Sequence, residues 1–162
     1  MGNNLWSLIL DGLSSRTSAG HGGGGRGDAG VQSRVVDVGG ASYTFQIFLP
    51  KGFAGRENLP LILFLHGIGH RGSGGYVPTA GARGAVIGHY LEQVPALILL
   101  PQCRDERYWS DPEMDRMVIR ALGQTVEEFK ADPARLYLTG VSMGGFGVWH
   151  LASQHPGRFA AD

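Results

Sequence analysis

Apolar residues follow two different periods along this chain, and each period predicts a different kind of element. One segment is apolar at every second position: Tyr43, Phe45, Ile47 and Leu49. Gly39-Gly40 separates it from another apolar segment at 35–38, so the pair predicts a β-hairpin. Three later runs are apolar without interruption: 61–65, 96–100 and 136–138. Such runs are typical of parallel strands that are covered on both faces.

A helical period appears between the last two of these runs. Apolar residues recur there every three or four positions: Met114, Met117, Val118, Ala121, Leu122, Val126 and Phe129. Ser110 and Glu113 predict a capping box at the start of this helix, and Asp132-Pro133 predicts its end. Two further helical segments are predicted: 146–154 and the residues around His89. Because strands alternate with helices, the chain is predicted to form an α/β fold.

The chain divides into two parts by composition. Residues 13–33 are rich in glycine and serine and carry too few apolar side chains to bury a core. We therefore predict a flexible N-terminal extension over 1–33 and one folded domain over 34–162. The glycine run within 22–25 is not followed by the Lys-Ser/Thr pair of a phosphate-binding loop.

Bulk composition excludes several classes of function. The 14 basic and 14 acidic residues balance, so no charge excess favours nucleic acid or an anionic membrane surface. The longest apolar run, 59–65, is too short to span a membrane, and no secretory leader is predicted. Cys103 is the single cysteine, which leaves the compartment open with the cytoplasm as the default. Neither a metal nor a cofactor is expected.

The motif that carries chemistry is Gly140-Val141-Ser142-Met143-Gly144, which fits the pattern G-x-S-x-G. The match is weak alone, because 27 of the 162 residues are glycine. Its context strengthens it, since it follows the last apolar run and precedes a predicted helix. Strand, sharp turn and helix are the arrangement of a nucleophile elbow, whose flanking glycines let a strained serine backbone pack closely. The alternative is a glycine-rich turn with an incidental serine.

A second motif, His66-Gly67, follows the first of the uninterrupted apolar runs. Hydrolases with such an elbow place part of the oxyanion hole after an equivalent strand, where two backbone N–H groups converge on the negative oxygen of the reaction. The candidate amides here belong to Ile68 and Met143. The alternative is that His66 is only a buried, hydrogen-bonded histidine at the end of a strand.

Four blocks of sequence resemble a known family. They are Leu-His-Gly-Ile-Gly-His-Arg-Gly at 65–72, Pro-Gln-Cys at 101–103, Trp109, and the stretch 132–149 around the elbow. They are similar to serine esterases of the phospholipase/carboxylesterase and predicted-peptidase branch of the α/β-hydrolases, near feruloyl esterases and polyhydroxybutyrate depolymerases. The likeness covers about 34–162.

The resemblance implies a function and roles for individual residues. Ser142 would attack a small-molecule carboxylic ester and form an acyl-enzyme, with the oxyanion held by the amides of Ile68 and Met143. The loop 104–110 would line the acyl site. His70 departs from the pattern, because many members of the family are expected to carry an acidic residue there.

The rest of a catalytic triad is not expected within the chain. In this family the acid and the histidine follow the serine, and only twenty residues follow Ser142. His150 lies about 12 Å along its helix from Ser142 and His155 lies further, so neither is expected to reach it. His66 is expected to point into the sheet, which leaves His70 as the only histidine on a loop at the same edge.

We therefore expect the N-terminal part of an α/β-hydrolase sheet without its C-terminal strands. The apolar strand at 136–138 would then be an unpaired edge, through which the chain is expected to self-associate. Two alternatives to ester hydrolysis stay open. One is a non-catalytic fragment that binds a ligand or partner, and the other is a peptidase that resembles the prolyl-oligopeptidase group.

Overall fold

The computed structural model describes residues 30–54, 56–72 and 94–160. Five strands are present in this part of the chain: β1 (Gly30–Val38), β2 (Ala41–Leu49), β3 (Leu61–Leu65), β4 (Leu97–Pro101) and β5 (Leu136–Gly140). Two α-helices and one short 3₁₀ turn accompany them: α1 (Pro112–Phe129), α2 (Met143–Gln154) and the turn Ile68–His70. No helix within these ranges is long and apolar enough to cross a membrane. The predicted helix around His89 lies outside the described residues.

The strands form one mixed sheet in the order β1-β2-β4-β3-β5. β1 and β2 form the predicted hairpin, and both residues of its turn have positive φ angles, 59° at Gly39 and 81° at Gly40. Such a turn matches the twist of the two strands and favours glycine. β2 also pairs with β4 in the antiparallel sense, whereas β3 pairs with β4 and β5 in the parallel sense. The predicted α/β class is confirmed.

The first strand begins four residues before residue 34, where the folded domain is predicted to start. β1 begins at Gly30, and each of its nine residues has a partner in β2, from Gly30 opposite Leu49 to Val38 opposite Ala41. Composition misses this start because a strand is held by backbone hydrogen bonds, which glycine and serine make as well as apolar residues do. The remainder of the predicted extension, residues 1–29, lies outside the described residues.

The central strand β4 is buried along its whole length, as its uninterrupted apolar sequence predicts. β3 behaves differently, because only alternate residues are fully buried. Its other two residues, Ile62 and Phe64, are half-buried on the opposite face, where they join a small cluster with Phe48, Ile98 and Leu100. Coverage on both faces therefore holds for β4 but not for β3.

Helix α1 packs against the sheet through the predicted stripe, with one correction at its start and one additional buried residue. The predicted capping box is wrong: Asp111 occupies the N-cap position without a side-chain cap, and Glu113 instead contacts the Tyr43 hydroxyl. Val126 is partly buried against the core, as predicted, and Thr125 is fully buried beside it, with its hydroxyl donating to the Ala121 carbonyl at 2.7 Å. A threonine is tolerated in the core because this bond satisfies its hydroxyl.

The end of α1 also differs from the prediction. The helix stops at Phe129, because Lys130 adopts a left-handed conformation with φ 52° and ψ 42°. The prediction relied on Asp132-Pro133, which lies beyond this turn. The amide of Asp132 instead donates to the Leu59 carbonyl at 2.9 Å, so the segment already belongs to the connection that leads into β5.

Candidate active site

Ser142 lies between the end of β5 and the first residue of α2, at the strand-to-helix turn that its motif predicts. Its backbone has φ 55° and ψ −119°, and the residue is exposed. A non-glycine residue with such a backbone costs on the order of 1–3 kcal/mol and persists only where its surroundings hold it. The helix begins at Met143, three residues before its predicted start, so the turn is sharper than the apolar pattern suggests.

The glycines of the motif permit two backbone segments to touch. A Cβ atom on Gly144 would lie 1.9 Å from the Leu65 carbonyl oxygen, and one on Gly140 would lie 2.6 Å from the Gly144 carbonyl carbon. Neither position has room for any side chain. The same Leu65 carbonyl accepts the amide of Val141 at 3.1 Å. The first turn of α2 is therefore fixed directly against the end of β3.

This packing brings the loop after β3 to the elbow. A Cβ atom on Gly67 would lie 3.5 Å from the Ser142 Cβ, so the loop passes beside the serine. The Gly67 carbonyl accepts two hydrogen bonds, from the His66 Nδ1–H at 2.8 Å and from the His70 amide at 3.1 Å. In a trans peptide the C=O and N–H point in opposite directions. The Ile68 amide, which shares this peptide unit, therefore points away from both donors.

His66 is buried and hydrogen-bonded through both ring nitrogens. Its Nε2 accepts the Cys103 amide at 3.0 Å, which requires the proton to sit on Nδ1, where it is donated to Gly67. Burial lowers the pKa of His66 from 6.5 to about 4; the bond to Gly67 opposes this shift, and the nearby His70 and Arg71 add to it. A neutral imidazole with both nitrogens occupied cannot accept a proton from Ser142. His66 itself is thus a buried, hydrogen-bonded histidine.

Trp109 anchors the loop 104–110 beneath the elbow. Its indole Nε1–H donates to the His66 carbonyl at 3.0 Å, and its ring meets the His66 ring edge-on at 4.9 Å. A Cβ atom on Gly147 of α2 would lie 2.5 Å from the Trp109 Cβ, so this helix glycine provides the space for the tryptophan. Sequence reasoning identified Trp109 only by resemblance. A helix glycine that follows the elbow is the signal that a large side chain packs there.

The rim of this region carries exposed apolar and basic groups. Ile68 is 49% exposed and Tyr108 is 51% exposed. The Arg71 guanidinium lies 5.5 Å from the centre of the Tyr108 ring and donates to the Arg107 carbonyl at 3.2 Å. Cys103 is buried beneath the rim, and burial raises the pKa of its thiol to about 12. This thiol therefore stays protonated and is a poor nucleophile.

Two further histidines bind a carboxylate that the sequence did not single out. His150 Nε2 lies 3.2 Å and His155 Nε2 lies 2.9 Å from the two carboxylate oxygens of Asp115 in α1. They tie the end of α2 to α1, away from the elbow at the other end of α2.

Within the three described ranges, no group of His, Cys, Asp and Glu has the arrangement to hold a metal ion. His21 and His89 lie outside those ranges.

The close approach at Gly144 predicts a large effect of adding one methyl group. Gly144→Ala is expected to lower the free energy of unfolding by about 3 kcal/mol or more, because the Leu65 carbonyl cannot move away without breaking β3 pairing. The matched control is Gly145→Ala, whose Cβ would meet nothing nearer than 4.0 Å. The control is expected to gain up to about 1 kcal/mol from helix propensity. Urea unfolding followed by tryptophan emission compares the two, and equal effects would contradict the packing described here.

The buried imidazole predicts a specific pH dependence of stability. The folded pKa of His66 is about 4 against 6.5 for the ordinary group, so the unfolded chain binds more protons between these values. Stability contributed by neutral His66 is therefore present above pH 6.5 and is lost as the pH falls toward 4, by about 3 kcal/mol. The difference in unfolding free energy between wild type and His66→Gln should change by that amount between pH 7 and pH 4. A difference that is constant over this range would show that His66 is not buried as described.

Comparison with known proteins assigns the chain to a family. A family model described as "Putative esterase" matches residues 38–161, which is most of the chain. A solved structure described as a thermostable esterase is similar over 81% of this chain, with 31% sequence identity and a TM-score of 0.70. No curated protein sequence matches the chain.

More distant solved structures share the fold. A fluorophosphonate-binding serine hydrolase of Staphylococcus aureus, with a substrate bound, is 18% identical, with a TM-score of 0.65 over 83% of this chain. An S-formylglutathione hydrolase of Agrobacterium tumefaciens is 20% identical, with a TM-score of 0.55 over 80% of the chain. The chain covers only 40%, 56% and 54% of the lengths of these three proteins. The mixed sheet with its flanking helices is thus part of an α/β-hydrolase fold, and the chain belongs to the esterase family whose model it matches.

Proposed function

We propose that this chain carries the nucleophile of a serine hydrolase that cleaves small-molecule carboxylic esters through an acyl-enzyme on Ser142. The observation that carries the proposal is the exposed serine with a positive φ angle at the turn from β5 to α2, in a chain of the esterase family. Strain of this kind concentrates at functional sites. The turn presents the Ser142 hydroxyl to solvent instead of burying it in the helix.

The proposed oxyanion hole is formed by the amides of Ile68 and Met143. Met143 is the first residue of α2, so its N–H has no carbonyl partner within the helix and lies at the positive end of the helix dipole. The Gly67 carbonyl accepts two hydrogen bonds on the side of His66. The Ile68 amide belongs to the same peptide unit and therefore points away from His66. Attack by Ser142 on an ester carbonyl creates a negative oxygen, and two fixed N–H groups stabilise it without reorganising. The exposed Tyr108 is proposed to line the acyl site nearby.

We further propose that the base and acid of the reaction come from outside the described residues. The proton of the Ser142 hydroxyl must pass to a base when the acyl bond forms. His66 has both nitrogens occupied, and His150 and His155 bind Asp115.

The fourth described histidine, His70, ends the turn after β3 with its ring 5.9 Å from the His66 ring, and it is the described residue whose replacement tests this part of the proposal. The occupation of the other three histidines also favours the second candidate function, a non-catalytic chain that binds a ligand or partner. The two candidates differ in whether Ser142 is acylated at all.

The first experiment incubates the 162-residue chain with p-nitrophenyl acetate and follows both nitrophenolate release and intact mass. We expect slow acetylation of Ser142 and poor turnover, because an oxyanion hole without a base retains a rate only on the order of 10³ over water. Ser142→Ala should abolish the acetylated mass, whereas the exposed Ser153→Ala is the control and should not. Acetylation that survives in Ser142→Ala would contradict the proposed nucleophile. Turnover typical of esterases would instead identify an unrecognised base, with His70→Ala as the next variant.

We also propose that the chain self-associates through the outer edge of β5. This strand lies at the end of the described sheet, and an apolar strand edge is a template for pairing with another chain. Sedimentation velocity should show association that increases with concentration and that falls in Thr139→Lys, which adds a charge at an exposed position of this edge. Ala134→Lys, exposed but outside the strand, is the control. A monodisperse monomer that melts cooperatively would contradict the proposal.

A further inference from the structure

A cleft of about 330 Å³ lies between the turn of the β1-β2 hairpin and the first half of helix α1, and His155 at the end of α2 also lines it. We call it the hairpin cleft. It is separate from the candidate active site, because β1 lies at one end of the sheet and β5, which leads to Ser142, lies at the other. Its volume is near the lower end of the range for small-molecule sites, roughly 300–1,000 Å³.

The floor of the hairpin cleft is apolar. Val38 of β1 is buried, and Ile119 of α1 packs against the same core cluster, so both side chains are held firmly by the folded chain. The charged groups that line the cleft, by contrast, belong to partly or fully exposed residues. An apolar floor with a few polar groups at the mouth is typical of sites that bind small organic molecules.

Two guanidinium groups stand at the mouth of the cleft. Arg116 and Arg120 are exposed and lie one turn apart on the same face of α1, where like charges repel each other. Arg120 Nη1 donates to the Asp37 carbonyl at 2.5 Å, which is a neutral acceptor. Neither arginine forms an ion pair with a carboxylate among the described residues. Their positive charge is therefore not neutralised in this part of the chain.

The acidic groups nearby do not cancel this charge. Among the described residues that line the cleft, Asp115 is the single acid, and its two oxygens already face the Nε2 atoms of His150 and His155. The Asp37 side chain lies on the opposite face of β1 from Val38, because side chains alternate along a strand. Two guanidinium charges thus face one carboxylate that has its own partners. The lining of the cleft favours an anion.

We propose that the hairpin cleft binds a small organic carboxylate. The carboxylate group would lie between Arg116 and Arg120, and the apolar part of the ligand would rest on Val38 and Ile119. Guanidinium groups match the planar geometry of a carboxylate, and a bound anion removes the repulsion between the two arginines. Inorganic phosphate would leave the apolar floor uncovered. The proposal does not depend on the chemistry proposed for Ser142.

The test uses the full 162-residue chain and para-fluorobenzoate as the probe, followed by fluorine NMR. We expect saturable binding. The neutral para-fluorobenzamide, which has the same shape, should bind at least tenfold more weakly, since hydrogen bonds to a charged group are the stronger ones. Inorganic phosphate should displace the probe at least tenfold less effectively than unlabelled benzoate does. In the nitrogen-labelled chain, the amide signals of Gly39 and His155 should shift.

The decisive variant is Arg116→Gln, which should weaken binding of the probe at least tenfold. The matched control is Arg56→Gln, which removes the same charge from an exposed arginine outside the cleft and should bind like the wild type. Because both arginines are exposed, neither change should alter the melting temperature, which is measured for each variant. Ser142→Ala should also bind like the wild type, so binding without ester hydrolysis contradicts only the proposed chemistry.

Four outcomes overturn the proposal. They are the absence of saturable binding, equal binding of the amide, displacement by phosphate as effective as by benzoate, and wild-type affinity in Arg116→Gln. Shifts of the Ser142 and Ile68 amide signals in place of Gly39 and His155 also overturn it, because they would locate the anion at the elbow.

Discussion

The contact between Gly144 and the Leu65 carbonyl is the constraint on which the rest of the site depends. A Cβ atom at Gly144 would lie 1.9 Å from that oxygen, so only glycine lets α2 begin directly against the end of β3. Because α2 begins there, Ser142 must turn the chain within one residue, and it does so with a positive φ angle. The loop that contains Gly67 follows β3 directly. The same contact therefore brings Gly67 beside the serine.

His66 connects this contact to the second loop of the site. One neutral imidazole satisfies the Gly67 carbonyl and the Cys103 amide, and so joins the ends of β3 and β4. A buried polar group is tolerated at low cost only when its hydrogen bonds are made. The same bonds fix the peptide that carries the Ile68 amide. His66 thus holds the two loops of the site in place, and it cannot act as a base because both of its ring nitrogens are engaged. Its lowered pKa is the measurable sign of this structural role.

Sequence periodicity predicts the elements whose formation depends on apolar side chains. It does not predict contacts that depend on backbone pairing or on residues far apart in the sequence. The parallel strands, the hairpin turn and the elbow follow from apolar runs and glycine positions. The start of β1 at Gly30 depends on backbone pairing with Leu49, which composition does not record. The carboxylate of Asp115 has two histidine partners from a distant segment. Neither pairing has a local signature, because the residues meet only after the sheet has formed.

The glycines that bring α2 to the sheet also limit how firmly the described chain holds it. α2 has twelve residues, a length at which isolated helices are marginal, and each interior glycine costs about 1 kcal/mol relative to alanine. Two of its four buried residues are glycines, which contribute no side-chain area to the core. Its largest apolar groups, Phe146 and Trp149, face away from the sheet. Burying them would therefore stabilise the helix that imposes the strained backbone on Ser142, so the burial of these two aromatic side chains and the geometry of the nucleophile are physically coupled.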